Sequence, residues 1–129
     1  MSTDADTFDY GDTLSRPFWE AAARKELVMQ QCATCGNVQF YPRPMCLECR
    51  GTDLGWTAVS GDATVYSMTT VHVQIDPDLV PPYVVALVDL DEGPRLLTNI
   101  DGDVEIGVRV RVAWRDRDDA PPLPVFEPA

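Results

Sequence analysis

Cysteine occurs at four positions only, Cys32, Cys35, Cys46 and Cys49, as two Cys-x2-Cys pairs separated by ten residues. In each pair a tight backbone turn brings two sulfurs within reach of one ion. Two such turns facing each other supply a closed tetrahedral site, the kind that holds structural zinc. Gly36 follows the first pair and Arg50-Gly51 the second, so the chain can turn around a metal at low steric cost. The interval is shorter than the roughly 15–20 residues common between such pairs. Val38-Gln39-Phe40-Tyr41 can still run out, and Pro42-Arg43-Pro44 can turn back.

Other chemistries also use paired cysteines. Two disulfides suit a small secreted domain, but the N-terminus carries no leader pattern and the chain is long for that class. A thioredoxin-like redox pair needs a βαβ pattern beside it, which is missing here. Iron in a rubredoxin-type site takes the same ligands, and ligand type alone leaves it open. Four protein ligands leave no position for a substrate, so the expected ion is a structural Zn2+.

Little else in the chain could do chemistry. His72 is the sole histidine, inside a β-rich run with no cysteine or serine partner in the pattern, and it reads as structural. There is no Gly-rich phosphate loop, G-x-S-x-G elbow or H-E-x-x-H. Nothing pairs a nucleophile with a base, so the chain is expected not to be an enzyme on its own.

Length and charge set further bounds. A chain of 129 residues is one ordinary domain or two very small ones. Its 21 acidic residues against 10 basic ones give a net charge of −11, shared by both halves of the sequence. Such a chain repels polyphosphate backbones, which disfavours general nucleic-acid binding. No apolar run reaches membrane-spanning length. Reduced cysteines and the absence of a targeting pattern give the expectation of a cytoplasmic protein.

The elements that must position the cysteines follow from patterning. Residues 1–14 are polar and acidic and are expected to be disordered. Pro17 suits a first helical turn, and Phe18, Trp19, Ala22 and Ala23 recur at helical spacing through residue 25. This helix is too short to persist alone in water. Phe18 and Trp19 either cover the core or dock a partner. Leu27 to Gln31 reads as a strand leading into the first cysteine turn. Strands are then expected at 54–59, 63–73, 83–90, 95–100 and 108–114, the last with valines on one face and arginines on the other. Five such strands suggest a small closed barrel, most commonly an OB-fold. The link from Gln74 to Pro82 carries three prolines and reads as a loop over the barrel mouth. The proline-rich tail is expected to pair Val125 and Phe126 on a barrel edge. The predicted organisation is an acidic N-terminus at 1–14, helix plus ribbon at 15–53, and barrel at 54–129.

The order of these motifs supports a family resemblance. Phe-Trp on a short helix, a strand into Cys-x2-Cys, Phe-Tyr-Pro-Arg-Pro before the second pair, Pro-Pro-Tyr-Val-Val-Ala-Leu-Val in the barrel and a closing Pro-Val-Phe span about residues 15–128. The chain resembles the acyl-CoA-associated family that joins a rubredoxin-like zinc ribbon to an OB-fold, first catalogued as a domain of unknown function. The resemblance implies a mainly β protein that acts as a non-catalytic subunit in a hetero-oligomer. Its partner would be a thiolase-superfamily enzyme of lipid or steroid metabolism: a sterol-carrier-type thiolase or retro-aldolase, an acyltransferase or, in some systems, an enoyl-CoA hydratase. The implied role is to complete the partner's acyl-CoA channel and hold the assembly together. It also implies Cys32, Cys35, Cys46 and Cys49 as zinc ligands and carries over no catalytic residue.

Two expectations concern surfaces. Arg43 and Arg50, beside the metal-fixed turns, are expected to receive the nucleotide end of an acyl-CoA or to pair with partner carboxylates. Phe18, Trp19, Ile75, Leu79 and Val80 are candidate partner-interface residues. The alternative function is single-stranded nucleic-acid binding by the ribbon and barrel, with Trp56, Tyr66 and Tyr83 stacking beside Arg95, Arg109, Arg111, Arg115 and Arg117. The twelve acidic residues after Val65 argue against it.

Overall fold

The computed structural model describes residues 13–77 and 79–129. The disorder expected over residues 1–14 thus lies mostly outside the described residues, and Thr13 and Leu14 form a turn into the first helix. That helix, α1, spans Arg16–Ala23 with Pro17 in its first turn. Its buried residues, Phe18, Ala21 and Ala22, follow i, i+3, i+4 spacing and make one apolar stripe. The helix ends where Lys25 takes a left-handed conformation at φ 58°. There the Lys25 amide donates to the Ala22 carbonyl at 2.8 Å and the Glu26 amide to the Ala21 carbonyl at 3.0 Å, closing a Schellman turn.

Two sheets follow. The strands β1 (Val28–Cys32), β2 (Val38–Gln39) and β3 (Leu54–Ala58) form an antiparallel ribbon in the order β2-β1-β3. The strands β4 (Asp62–Val71), β5 (Tyr83–Leu90), β6 (Arg95–Ile100), β7 (Arg109–Arg115) and β8 (Leu123–Pro128) close into a barrel in the order β4-β5-β6-β8-β7. The mainly β ribbon-plus-barrel fold expected from sequence is therefore present.

Its strand assignment differs in two places. The strand at 54–58 pairs with β1 along its whole length, Val28 opposite Ala58 to Cys32 opposite Leu54, so it completes the ribbon instead of opening the barrel. The fifth barrel strand is β8, which runs antiparallel to β7 over six register pairs and meets β6 in parallel at Ile100 and Phe126. The tail is thus the stave that closes the barrel, not an edge segment. Also, β4 stops at Val71, so His72 lies in the exposed segment after it.

One apolar core joins the two sheets. Inward residues of the barrel, Val65, Val88, Leu96, Val110 and Phe126 among them, are continuous with Phe18, Leu27 and Met29 from α1 and β1. Phe18 is 5% exposed, with its ring 5.3 Å from that of Phe40. This corrects its assignment as a partner-interface residue: burying the ring is what holds the short helix in place. The passage from ribbon to barrel turns at Gly61, at φ 84°, where an added Cβ would overlap the Val112 side chain. Among the described residues no helix is long and apolar enough to cross a membrane.

Candidate metal centre and its surroundings

The two cysteine turns are built alike. In the first, the Gly36 amide donates to the Cys32 carbonyl at 2.9 Å and the Cys32 amide to the Asn37 carbonyl at 2.9 Å. In the second, the Arg50 amide donates to the Cys46 carbonyl at 2.9 Å and the Cys46 amide to the Gly51 carbonyl at 2.8 Å. Gly36 and Arg50 hold equivalent left-handed positions, at φ 82° and 64°. Strand β1 delivers the first turn, and β3 leaves the second antiparallel to it, so the turns face each other.

The four sulfurs converge. Cys32 Sγ lies 3.6 Å from Cys49 Sγ, Cys35 Sγ lies 3.6 Å from Cys46 Sγ, and all four are within 4.8 Å of one another. A tetrahedral metal with bonds of about 2.3 Å would set its sulfurs about 3.8 Å apart, so the donor set fits such an ion. Cys32 and Cys46 are buried, whereas Cys35 and Cys49 sit at the surface. The Glu48 and Gly51 amides each donate to a sulfur at 3.4 Å, to Cys46 and Cys49 respectively.

These contacts divide the protons unevenly. Cys46 is held down to about 6, first by the Cys49 N–H and, against the opposing effect of burial, by that of Glu48. Cys32 is likewise lowered, with the Cys35 N–H as the largest cause. Cys35 is pushed up to about 12: the Asn37 N–H opposes the rise, which comes from desolvation and the neighbouring sulfurs. Close sulfurs of this kind release their remaining protons when a cation takes their place.

Around the centre, the side chains of Asn37, Gln39 and Gln30 form a network that sequence reasoning missed. Gln30 and Gln39 are buried. The available signal was a polar residue at an inward strand position, Gln30 two residues before Cys32 on the same face. The Gln30 amide brackets the loop backbone, donating to the Arg43 carbonyl and accepting from the Arg43 amide, both at 2.9 Å. Arg43 itself is exposed, as is Arg50 on the other side of the centre.

The proposed interface residues are not all alike. Ile75 is 79% and Val80 74% exposed, on the loop between β4 and β5. Leu79 is half-buried and lines a cavity of about 560 Å3 at the barrel mouth, with Asp76, Asn99, Arg115 and Leu123 among its other walls. Trp19 is half-buried, edge-on to Phe18 at 5.0 Å and with the Arg117 guanidinium 5.3 Å from its ring centre. Phe18 thus belongs to the helix packing, whereas Trp19 meets Arg117, which lines the same cavity as Leu79.

The barrel arginines do not form a basic groove. Arg95 pairs with Asp89 at 2.6 Å, Arg109 with Asp91 at 2.7 Å, Arg111 with Glu127 at 3.0 Å and Arg115 with Asp101 at 3.1 Å. Arg95 also covers one face of the Tyr66 ring at 3.4 Å. Trp56 packs against the core.

The family model described as "ChsH2, rubredoxin-like zinc ribbon domain" matches residues 19–55, and that described as "ChsH2, C-terminal OB-fold domain" matches residues 56–115. A probable enoyl-CoA hydratase alpha subunit of Thermomonospora curvata is 42% identical over 117 residues, which are 87% of this chain and 37% of that protein. A DUF35 domain-containing scaffold protein of Methanocaldococcus jannaschii is 36% identical over 69% of this chain and 67% of its own length. The benzoylsuccinyl-CoA thiolase subunit BbsA of Geobacter metallireducens is 29% identical over 58% of this chain and half of its own length. Among solved structures, a chain described as "Ltp2-ChsH2(DUF35) aldolase" superposes with a TM-score of 0.86 at 37% identity, covering 94% of this chain and 98% of the other.

Proposed function

This chain belongs to the DUF35 family and matches the ChsH2-type zinc ribbon and OB-fold models, and on that premise we propose that it is a non-catalytic accessory subunit of a thiolase-superfamily enzyme acting on an acyl-CoA. The observation that carries this reading is the near full-length likeness to the chain of an aldolase described by two component names. Relatives named as a hydratase alpha subunit, a thiolase subunit and a scaffold protein point the same way.

The ion at the four cysteines is zinc in this reading, and it supplies structure. Four thiolates fill a tetrahedral coordination shell, leaving no position for a substrate. All four ligands would bind as thiolates, so loading the ion would release the protons they still carry. The ribbon then presents Arg43 and Arg50 on fixed turns, where each cation can meet a nucleotide phosphate or a partner carboxylate. The barrel mouth, with Leu79 inside it and Ile75 and Val80 on its rim, borders the acyl chain's path in the complex. The exposed apolar side chains of that loop become buried when the partner docks.

Co-expression with a thiolase-superfamily partner tests the assignment. The two chains should elute together as one hetero-oligomer carrying about one zinc per copy of this chain. Separate elution of two soluble proteins would overturn the reading.

A further inference from the structure

The buried glutamines of the ribbon have a role that the ligands themselves do not supply. Gln30 and Gln39 are cross-strand partners in the register of β1 and β2, 4% and 5% exposed. Gln39 fills all four hydrogen-bonding positions of its amide. Its Nε2 donates to Gln30 Oε1 at 2.8 Å and to the Met45 carbonyl at 3.2 Å. Its Oε1 accepts from the Leu47 amide at 3.0 Å and from Asn37 Nδ2 at 3.2 Å. Gln30 fills three of its four positions, with Gln39 and with both backbone groups of Arg43.

A buried amide costs stability unless its partners are present. Here the backbone partners, Arg43, Met45 and Leu47, lie in or just after a loop, residues 40–45, that contains Pro42 and Pro44 and so lacks two backbone donors of its own. The glutamine amides stand in for a strand ladder that this loop cannot form. Asn37 carries the network to the metal turn, since its Nδ2 also lies 3.7 Å from Cys46 Sγ. Groups behind metal ligands orient those ligands and tune retention of the ion.

We propose that Asn37, Gln39 and Gln30 are positioning residues that couple the metal turn at Cys46 to the loop bearing Arg43, so that metal retention and loop conformation support each other. Such coupling runs in both directions. Loss of the ion frees the loop, and loss of the glutamine pair loosens the ion. The inference rests on the metal reading above and adds that the ribbon presents its Arg43 surface only while the centre is filled.

Two amides report the network directly, because the Arg43 N–H donates to Gln30 and the Leu47 N–H to Gln39. The experiment uses the zinc-loaded full chain, reading amide exchange by NMR and zinc release to a chromophoric chelator. Gln39→Met should release zinc about tenfold faster and speed exchange at Leu47. Gln30→Met should speed exchange at Arg43 while leaving Leu47 protected. Should Gln39→Met fail to fold, Asn37→Ala, at a half-buried site, should still hasten zinc release with the barrel amides unchanged. Unchanged zinc release in the Gln39 or Asn37 variants, or a rise in exchange spread evenly over the ribbon, would overturn the coupling. A wild-type chain that takes up no zinc would overturn both this inference and the metal reading.

Discussion

Arg50 occupies in the second cysteine turn the left-handed position that Gly36 occupies in the first, at φ 64° against 82°. The turns make the same pair of backbone hydrogen bonds, yet only one uses the residue suited to that conformation. A non-glycine residue there costs roughly 1–2 kcal/mol, part of which glycine gives back through its freer unfolded chain. Arg50→Gly should therefore stabilise the zinc-loaded protein by about 1 kcal/mol, a rise of about 4 °C in Tm. A drop in Tm would show that the arginine side chain stabilises the turn by more than the backbone strain costs.

Phe18 separates packing from docking. It lies in the apolar core shared by α1, β1 and the barrel. Phe18→Ala should cost about 3–5 kcal/mol in the isolated chain, read by chemical denaturation. A variant with wild-type stability that fails only to bind its partner would return Phe18 to the interface.

Ile75 and Val80 should behave in the opposite way. Both side chains are largely exposed, so Ile75→Asp and Val80→Asp should leave the isolated chain within about 0.5 kcal/mol of wild type. If they anchor the partner, each should weaken the complex about thirtyfold, the equivalent of about 2 kcal/mol. Binding unchanged in both variants would remove this loop from the interface.

Asp91 gives the fold an acid-sensitive contact. Hydrogen bonds from Arg109, at 2.7 and 2.8 Å, hold its carboxyl below the usual carboxylate range. A folded pKa below the unfolded one stabilises the fold above about pH 4, and this contribution is lost as pH falls through the folded value. The Tm difference between wild type and Asp91→Asn should thus be constant near neutrality and shrink below about pH 4. The pair is exposed, so the difference should be small throughout. A difference that grew on acidification would contradict the assignment.

How much could be read from the sequence depended on whether a feature was local. The cysteine ligands were legible because thiol chemistry and a two-residue spacing are properties of the chain itself. Strand patterning at 54–58 showed that a strand exists, but pairing is decided by partners distant in sequence, and β1 claimed it. The tail was hidden by its prolines. Pro124 and Pro128 cannot donate to a ladder, yet β8 pairs along β7 and meets β6 at a single register position. Of the Gln30–Gln39 pair only the inward polar position of Gln30 was legible, because the partners are backbone groups of a loop whose path only the folded structure reveals.

The central claim is that this chain is a required but non-catalytic part of an acyl-CoA enzyme. Turnover of an acyl-CoA substrate should be measured for the thiolase-superfamily partner alone, for this chain alone, and for the two co-purified at matched concentration. A required, non-catalytic role means no turnover from this chain, little from the partner, and full turnover only from the complex. Full activity from either protein by itself would contradict it.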